Sequence, residues 1–507
     1  MRCWIAGLRA STTLTHHRAM KEPLPTDANA QSRISRAMMA SHFAVAVGAV
    51  LQMAFVAILA RLLGHDTYGH FAAAAGTLRL ASYVIDLGIG TLTTRRGRTL
   101  GDPTLAALFL CGIGIALVLA AAIWVGAPSL AAWAGADADT AVPLLRALGF
   151  GPAIAASGQV ATGLLRYDLR FNILALQSLG ALVLGQGGVG IPLAFAGAGV
   201  WSLVAGALAQ AAISSAIAWR AAPHPWRLEH ARLPAPATLT ESGWFWILRL
   251  LDSAGFHALA PLALALAGAA QAGLWDRALA ISILPMELIA VASAQVLFPA
   301  YARVGADPNA ARERWLSGLA AILSVHGALA VLAWTAGPAL VGFALGAAWL
   351  DAAAVFALLA LWGVLRGAGM VNGSVAEAKG ALKARAAQQA AFLISLGLSL
   401  AALEPDTAAD FARIVVAVDL PIQIVGFAIA ARATGTPIGD VARAVLSAVL
   451  AVALAAAFVW FGAQFSNPAI GGLGGAAIGI ATALWFHLHA PLRQAVRKWV
   501  ASARPIQ

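Results

Sequence analysis

The chain has 507 residues, of which 61% are apolar and only 11% charged, against roughly a quarter charged in soluble domains. That composition excludes a soluble globular protein. The net charge of +11 sits in short loops between apolar runs, which points to anionic membrane lipids and away from nucleic acid.

Residues 1–38 form a polar tail; its first 32 residues contain Pro23 and Pro25 and no clear apolar core or cleavage site. They read as a cytoplasmic tail or as an extension upstream of the true start. A bilayer-crossing helix needs about 20 mostly apolar residues, and in lipid every backbone N–H and C=O must be satisfied internally, so such runs become helices. Fourteen spans are predicted, at 39–60, 70–93, 104–125, 142–165, 172–194, 198–219, 242–266, 274–298, 315–341, 350–373, 386–403, 411–431, 441–462 and 469–490. The fold class is therefore all-α and polytopic.

The loops carry an independent signal. With the N-terminus inside, the inside loops hold Arg95, Arg96 and Arg98, then Arg166 and Arg170, then Arg220, Arg227 and Arg232. Further on they hold Arg303, Arg312 and Arg314, then Lys379, Lys383 and Arg385, then Arg432 and Arg443. The outside loops hold Asp66, Asp137, Asp139, Asp351, Glu404, Asp406 and Asp410. Basic loops alternate with acidic ones, so the positive-inside rule sets the span count and puts both termini in the cytoplasm.

An internal repeat runs through the chain. Leu62, Gly64, Gly69 and Phe71 match Leu266, Gly268, Gly273 and Trp275 at an offset of 204, and Arg166 and Arg170 match Lys379 and Lys383 at 213. Spans 1–6 and 7–12 then read as two copies of parallel topology, with a substrate site expected between them. The expected divisions are an N-lobe over 39–220, a cytoplasmic linker over 221–241, a C-lobe over 242–431, spans 13 and 14 over 432–490, and a basic cytoplasmic tail over 491–507.

No nucleotide-binding loop, Ser-His-Asp order or metal-ligand cluster is present, and neither a cofactor nor a catalytic residue is expected. The two cysteines, Cys3 and Cys111, form no disulfide framework. The glycines at 185–190 and at 471, 475 and 479 read as close helix packing. Charges inside spans are the informative residues, because each is costly there and faces a partner or a watery cavity. Arg79 lies near the middle of span 2, with Asp86 two turns on. Arg249 and Asp252 are one turn apart in span 7 and are placed to pair. Arg366 is in span 10, Glu287 follows Pro285 in span 8, Asp419 is in span 12, and Arg277 and Arg146 lie nearer the outer ends of spans 8 and 4. For each, structural ion pairing or snorkelling is the alternative to a role in transport.

The stretch from Leu59 through Gly64, Tyr68, Gly69 and Phe71 to Asp86-Leu-Gly-Ile-Gly90 resembles the first two spans of bacterial Wzx-type oligosaccharide flippases. These are polysaccharide biosynthesis proteins of the multidrug/oligosaccharidyl-lipid/polysaccharide exporter superfamily. Ala272-Gly-Leu-Trp-Asp-Arg277, Leu284-Pro285 and Val296 to Arg303 are similar to its span 8 and following loop, and Gly346 to Gly380 to its spans 9 to 11. The resemblance implies two six-helix lobes, like those of multidrug exporters of the superfamily, around a V-shaped cavity, with alternating access. It also implies a polyprenyl-linked oligosaccharide cargo in a bacterial inner membrane, with polysaccharide polymerase and export machinery as partners. Glu287 stands where relatives usually carry an uncharged residue.

Two chemistries separate the main readings. A flippase for a phosphate-linked sugar needs a cationic cavity, for which Arg79, Arg249, Arg366 and Arg277 are the candidates. A cation-coupled drug exporter needs an acidic one, with Asp86, Asp252 and Glu287 as carriers. A membrane polysaccharide polymerase or ligase would need a large outside loop, and no outside loop is predicted to be long.

Overall fold

The structure, a computed structural model, describes residues 47–462 apart from short stretches at 87–88, 134–136, 169, 228, 230, 233–235 and 304–307. The two tails, the start of span 1 and the whole of span 14 lie outside the described residues.

Apolar runs fold where the composition demands. In chain order the helices are α1 (Val47–Leu62), α2 (His65–Asp86), α3 (Ile89–Arg96), α4 (Asp102–Trp133), α5 (Ala138–Leu148) and α6 (Phe150–Tyr167). α7 (Phe171–Leu182) runs through a π-helical stretch at Val183–Gly190 into α8 (Ile191–Phe195), and α9 (Val200–Ala221) closes the first half. The second half holds α10 (Pro236–His257), α11 (Leu259–Arg303), α12 (Pro308–Leu345), α13 (Ala352–Ala378), α14 (Leu382–Leu403), α15 (Ala408–Thr434) and α16 (Ile438–Gly462). No strand occurs among the described residues.

Among the described residues ten helical stretches are long and apolar enough to cross a membrane. One of them, Trp246–Ser282, breaks at Gly268, whose φ of 85° only glycine adopts readily. The sequence divides spans 7 and 8 at the same place. Span 2, read as one run over 70–93, falls on α2 and α3, with residues 87–88 between them outside the described residues. Elsewhere ends are set by local chemistry: Asp137 caps α5 by accepting from the Thr140 N–H at 3.1 Å.

Loops of like character share an end of the bundle. At the basic end, Arg98 lies 3.6 Å from Asp168 and Arg170 donates to the Ala221 carbonyl. At the acidic end, Arg61 donates to the Phe343 carbonyl at 2.6 Å, the His65 ring meets the Ala348 carbonyl at 2.7 Å, and Trp349 donates to the Ala60 carbonyl at 2.9 Å.

The helices divide into two pseudo-symmetric lobes. α3, α4, α6, α7 and α9 pack on one another in the N-lobe, as α12 to α16 do in the C-lobe, and α2 meets α10 and α11 between them. The seam is reciprocal. Gly69 of α2 lies against the Ala269 carbonyl of α11, and Gly273 of α11 lies against the His65 carbonyl of α2. The offset of 204 takes 65 to 269 and 69 to 273, so this is one contact made twice across a two-fold. A Cβ at either glycine would overlap backbone atoms.

Candidate functional site

Beneath that seam lies a cavity of about 720 Å³ between the lobes. Its N-lobe wall carries Gln52, Tyr68, Arg79, Gln186, Gln210 and Ser214, and its C-lobe wall carries Phe256, His257, Asp276 and Arg277. Toward the acidic end Arg277 is 11% exposed, pairs with Asp276, and lies over the Tyr68 ring at 4.1 Å. Its charge is thus neutralised by its neighbour in sequence and shared with an aromatic face of the other lobe.

Arg79 is placed differently. It lies about 16 Å along α2 from Tyr68, at 1.5 Å per residue. Its side chain is exposed to the cavity and close enough to His257 for the two to interact electrostatically. Among the described residues no carboxylate lies within ion-pair distance of it. With Arg277 balanced by Asp276, Arg79 leaves the described wall of this cavity cationic.

The other two candidate arginines stand elsewhere, in a cluster of charges inside the C-lobe. Arg249, 60% exposed, is 3.7 Å from Glu377 of α13. Asp252 accepts from Gln389 and lies 3.9 Å from Arg385, both of α14. The pair expected between Arg249 and Asp252 is therefore replaced by two pairs to other helices, since the two side chains diverge from α10. Arg366 lies over the Trp362 ring at 5.6 Å and within electrostatic reach of Asp419. Asp419, 1% exposed, accepts from Trp362 and from Gln423, each at 2.8 Å. The side chains of Asp86 and Glu287 lie outside the described residues. Arg146 reaches back to the Trp124 carbonyl at 3.2 Å and lies over that ring, an anchoring contact.

Sequence reasoning missed Arg385. It reads as a loop residue beside Lys379 and Lys383, yet it is 5% exposed and donates to Gln388 at 2.7 Å. The signal was on another helix. Gly369 and Gly373 of α13 make room for Gln423 and Arg385, and a Cβ at Gly373 would stand 2.8 Å from the Arg385 Nη2. Among the described residues no group of His, Cys, Asp and Glu is placed to hold a metal ion.

Two helical lobes around a polar cavity, built from helices long and apolar enough to cross a bilayer, define a polytopic membrane protein. Residues 58–354, more than half of the chain, match the family model described as polysaccharide biosynthesis protein, so the chain belongs to that family. No curated protein matches the chain by sequence. Among solved structures, the fold is similar to the lipid II flippase MurJ in an inward closed conformation, with TM-score 0.68 and 13% identity over 90% of this chain and 100% of that one. It is also similar to a superfamily transporter from Pyrococcus furiosus described as having a binding pocket of reversed polarity, with TM-score 0.53 and 17% identity over 80% of this chain and 95% of that one.

Proposed function

We propose that the protein is a flippase that carries polyprenyl-(pyro)phosphate-linked oligosaccharide from the inner to the outer leaflet by alternating access, for exopolysaccharide or O-antigen assembly. The observation that carries this reading is Arg79, an exposed guanidinium in an interlobe cavity with no described carboxylate in reach. An arginine at mid-bilayer costs about 2.5–3.5 kcal/mol or more, so its retention calls for an anionic visitor. A guanidinium offers phosphate two parallel donors in one plane. An anion moving outward runs with an inside-negative potential, worth about 2.3 kcal/mol per charge per 100 mV, so nucleotide hydrolysis is not needed.

The family supports a polysaccharide precursor as cargo, and the likeness to a lipid II flippase supports a lipid-linked one. The basic end of the bundle faces the cytoplasm, in a bacterial inner membrane, and the glycine seam closes the outer side. The protein acts as a transporter, not an enzyme, without cofactor, and delivers cargo to polymerase and export machinery. Of the three carriers that a cation-coupled exporter would use, Asp252 is the described one, and it is matched by Arg385 and Gln389.

In the native host, Arg79→Ala at normal protein level should lower surface polysaccharide by about tenfold or more, since a lost charged hydrogen bond is worth about 1.5–3 kcal/mol. Lipid-linked oligosaccharide should accumulate on the inner leaflet, and Arg79→Lys should recover part of the loss. Unchanged surface polysaccharide in Arg79→Ala would overturn the reading.

A further inference from the structure

A second cavity opens inside the N-lobe, between α3, α6, α7 and α9, with a volume of about 750 Å³. Small-molecule sites span roughly 300–1,000 Å³. Ser178, Ala211 and Ser214 line both this cavity and the interlobe one, so the two are adjacent through a shared wall. Its described lining is unlike that of a lipophilic site, which is mostly apolar and aromatic. No aromatic ring and no carboxylate is among the lining residues, and the one charge is Arg166, exposed near the basic end. The working groups are hydroxyls and amides: Thr94, Gln159, Thr162, Gln177, Ser178 and Ser214.

These groups are partly fixed in advance. The Gln177 amide donates to Thr162 at 2.9 Å and to Ser214 at 3.1 Å, which locks the side chain and leaves its carbonyl oxygen as an acceptor. Thr162 in turn is held by the Gly158 carbonyl at 2.9 Å. The Thr94 hydroxyl is buried with no partner among the described residues. An orphaned hydroxyl in an apolar setting costs free energy unless something bonds to it.

We propose that this cavity is a subsite for the uncharged sugars of the cargo, nearest the lipid phosphate. Sugar hydroxyls donate and accept in the same way as the amides and hydroxyls that line it, and none of them needs a counter-charge. With the phosphate at Arg79, the adjacent sugars reach the N-lobe cavity past Ser178 and Ser214. The inference rests on the flippase reading, and it adds that recognition of the sugar is built into one lobe.

The test uses the full chain in lipid nanodiscs and four probes. Farnesyl pyrophosphate carries the charge without sugar, and its N-acetylglucosaminyl, glucosyl and galactosyl conjugates carry both. Wild type should bind at least one conjugate about tenfold more tightly than the sugarless probe, the size of one or two well-placed hydrogen bonds. Thr94→Val removes an unpartnered hydroxyl at nearly constant shape, so it should fold at least as well as wild type. Together with Gln177→Leu, at a residue that lines only the N-lobe cavity, it should abolish that preference while leaving the sugarless affinity unchanged. Arg79→Ala should weaken all four. Equal affinities of wild type for all four probes would overturn the subsite, as would a preference that survives both pocket variants. Failure of wild type to bind any probe would instead overturn the flippase reading, and the subsite with it.

Discussion

The two lobes descend from one sequence pattern but handle polarity in opposite ways. In the N-lobe, α3, α6, α7 and α9 leave a cavity lined, but for Arg166, by uncharged groups, and Arg79 stands in the adjacent interlobe cavity without a described acid. In the C-lobe, the corresponding helices are drawn onto Trp362, Arg385, Gln388, Asp419 and Gln423, which are buried and bonded to one another or to neighbouring helices. A charge paired inside its own lobe stiffens that lobe. A charge with no described partner is, on the proposed function, available to cargo. Counting charges per span cannot tell these apart, since both lobes carry arginine in mid-span.

The largest expected effect follows from breaking the C-lobe network. Arg385→Met leaves Asp252 and Glu377 facing each other's charge with one fewer cation between them. Removing one partner of a buried pair costs about 3–5 kcal/mol, so the yield of folded protein should collapse. Asp252→Asn added to Arg385→Met should restore much of it, whereas Arg249→Met added instead should not. Monodisperse yield after detergent extraction measures both.

The seam between the lobes gives the next effect. Gly69→Val and Gly273→Val place side-chain atoms into opposing backbone carbonyls, which cannot yield as a flexible side chain would. The acidic end of α2 should then separate from α11 beside the Gly268 break, and a cysteine at Ala73 should become reactive to an impermeant thiol reagent from outside. Equal protection of that position in wild type and variant would mean that the seam does not hold this end closed.

Much of this fold was legible. Apolar runs and alternating basic loops anticipated α9 and α13 to α16 to within about five residues but fell short of the ends of α4 and α12 by more, because span length and loop charge answer to the bilayer itself while helices run on past it. The repeat at offset 204 pointed to Gly69 and Gly273, since close approach of two backbones demands glycine at both. The partners of Arg249, Asp252 and Arg366 were not legible. Those of Arg249 and Asp252, and Asp419 near Arg366, lie on helices far away in sequence, and the burial of Arg385 depends on Gly373 of α13. Arg79 stood out in the sequence for the reason that isolates it in the structure: no acid lies one turn away.

A smaller effect is expected at the basic end. His224 packs against Trp219 at 4.7 Å and Phe109 at 5.1 Å, and burial holds its pKa below the ordinary 6.5. A depressed histidine contributes stability that is present above its unfolded pKa and is lost as pH falls through the folded one. Thermal stability in detergent should be level above about pH 6.5 and decline on acidification, and His224→Phe should lessen that decline.

The central question is whether Arg79 serves cargo or fold. The direct measurement is translocation of a fluorescent polyprenyl-pyrophosphate-linked sugar across proteoliposomes under an imposed potential, for wild type, Arg79→Lys and Arg79→Ala. Equal melting temperatures, with translocation ordered wild type, then Arg79→Lys, then a near-absent Arg79→Ala, are what a guanidinium meeting phosphate in the interlobe cavity predicts. Translocation by Arg79→Ala at the wild-type rate would contradict it.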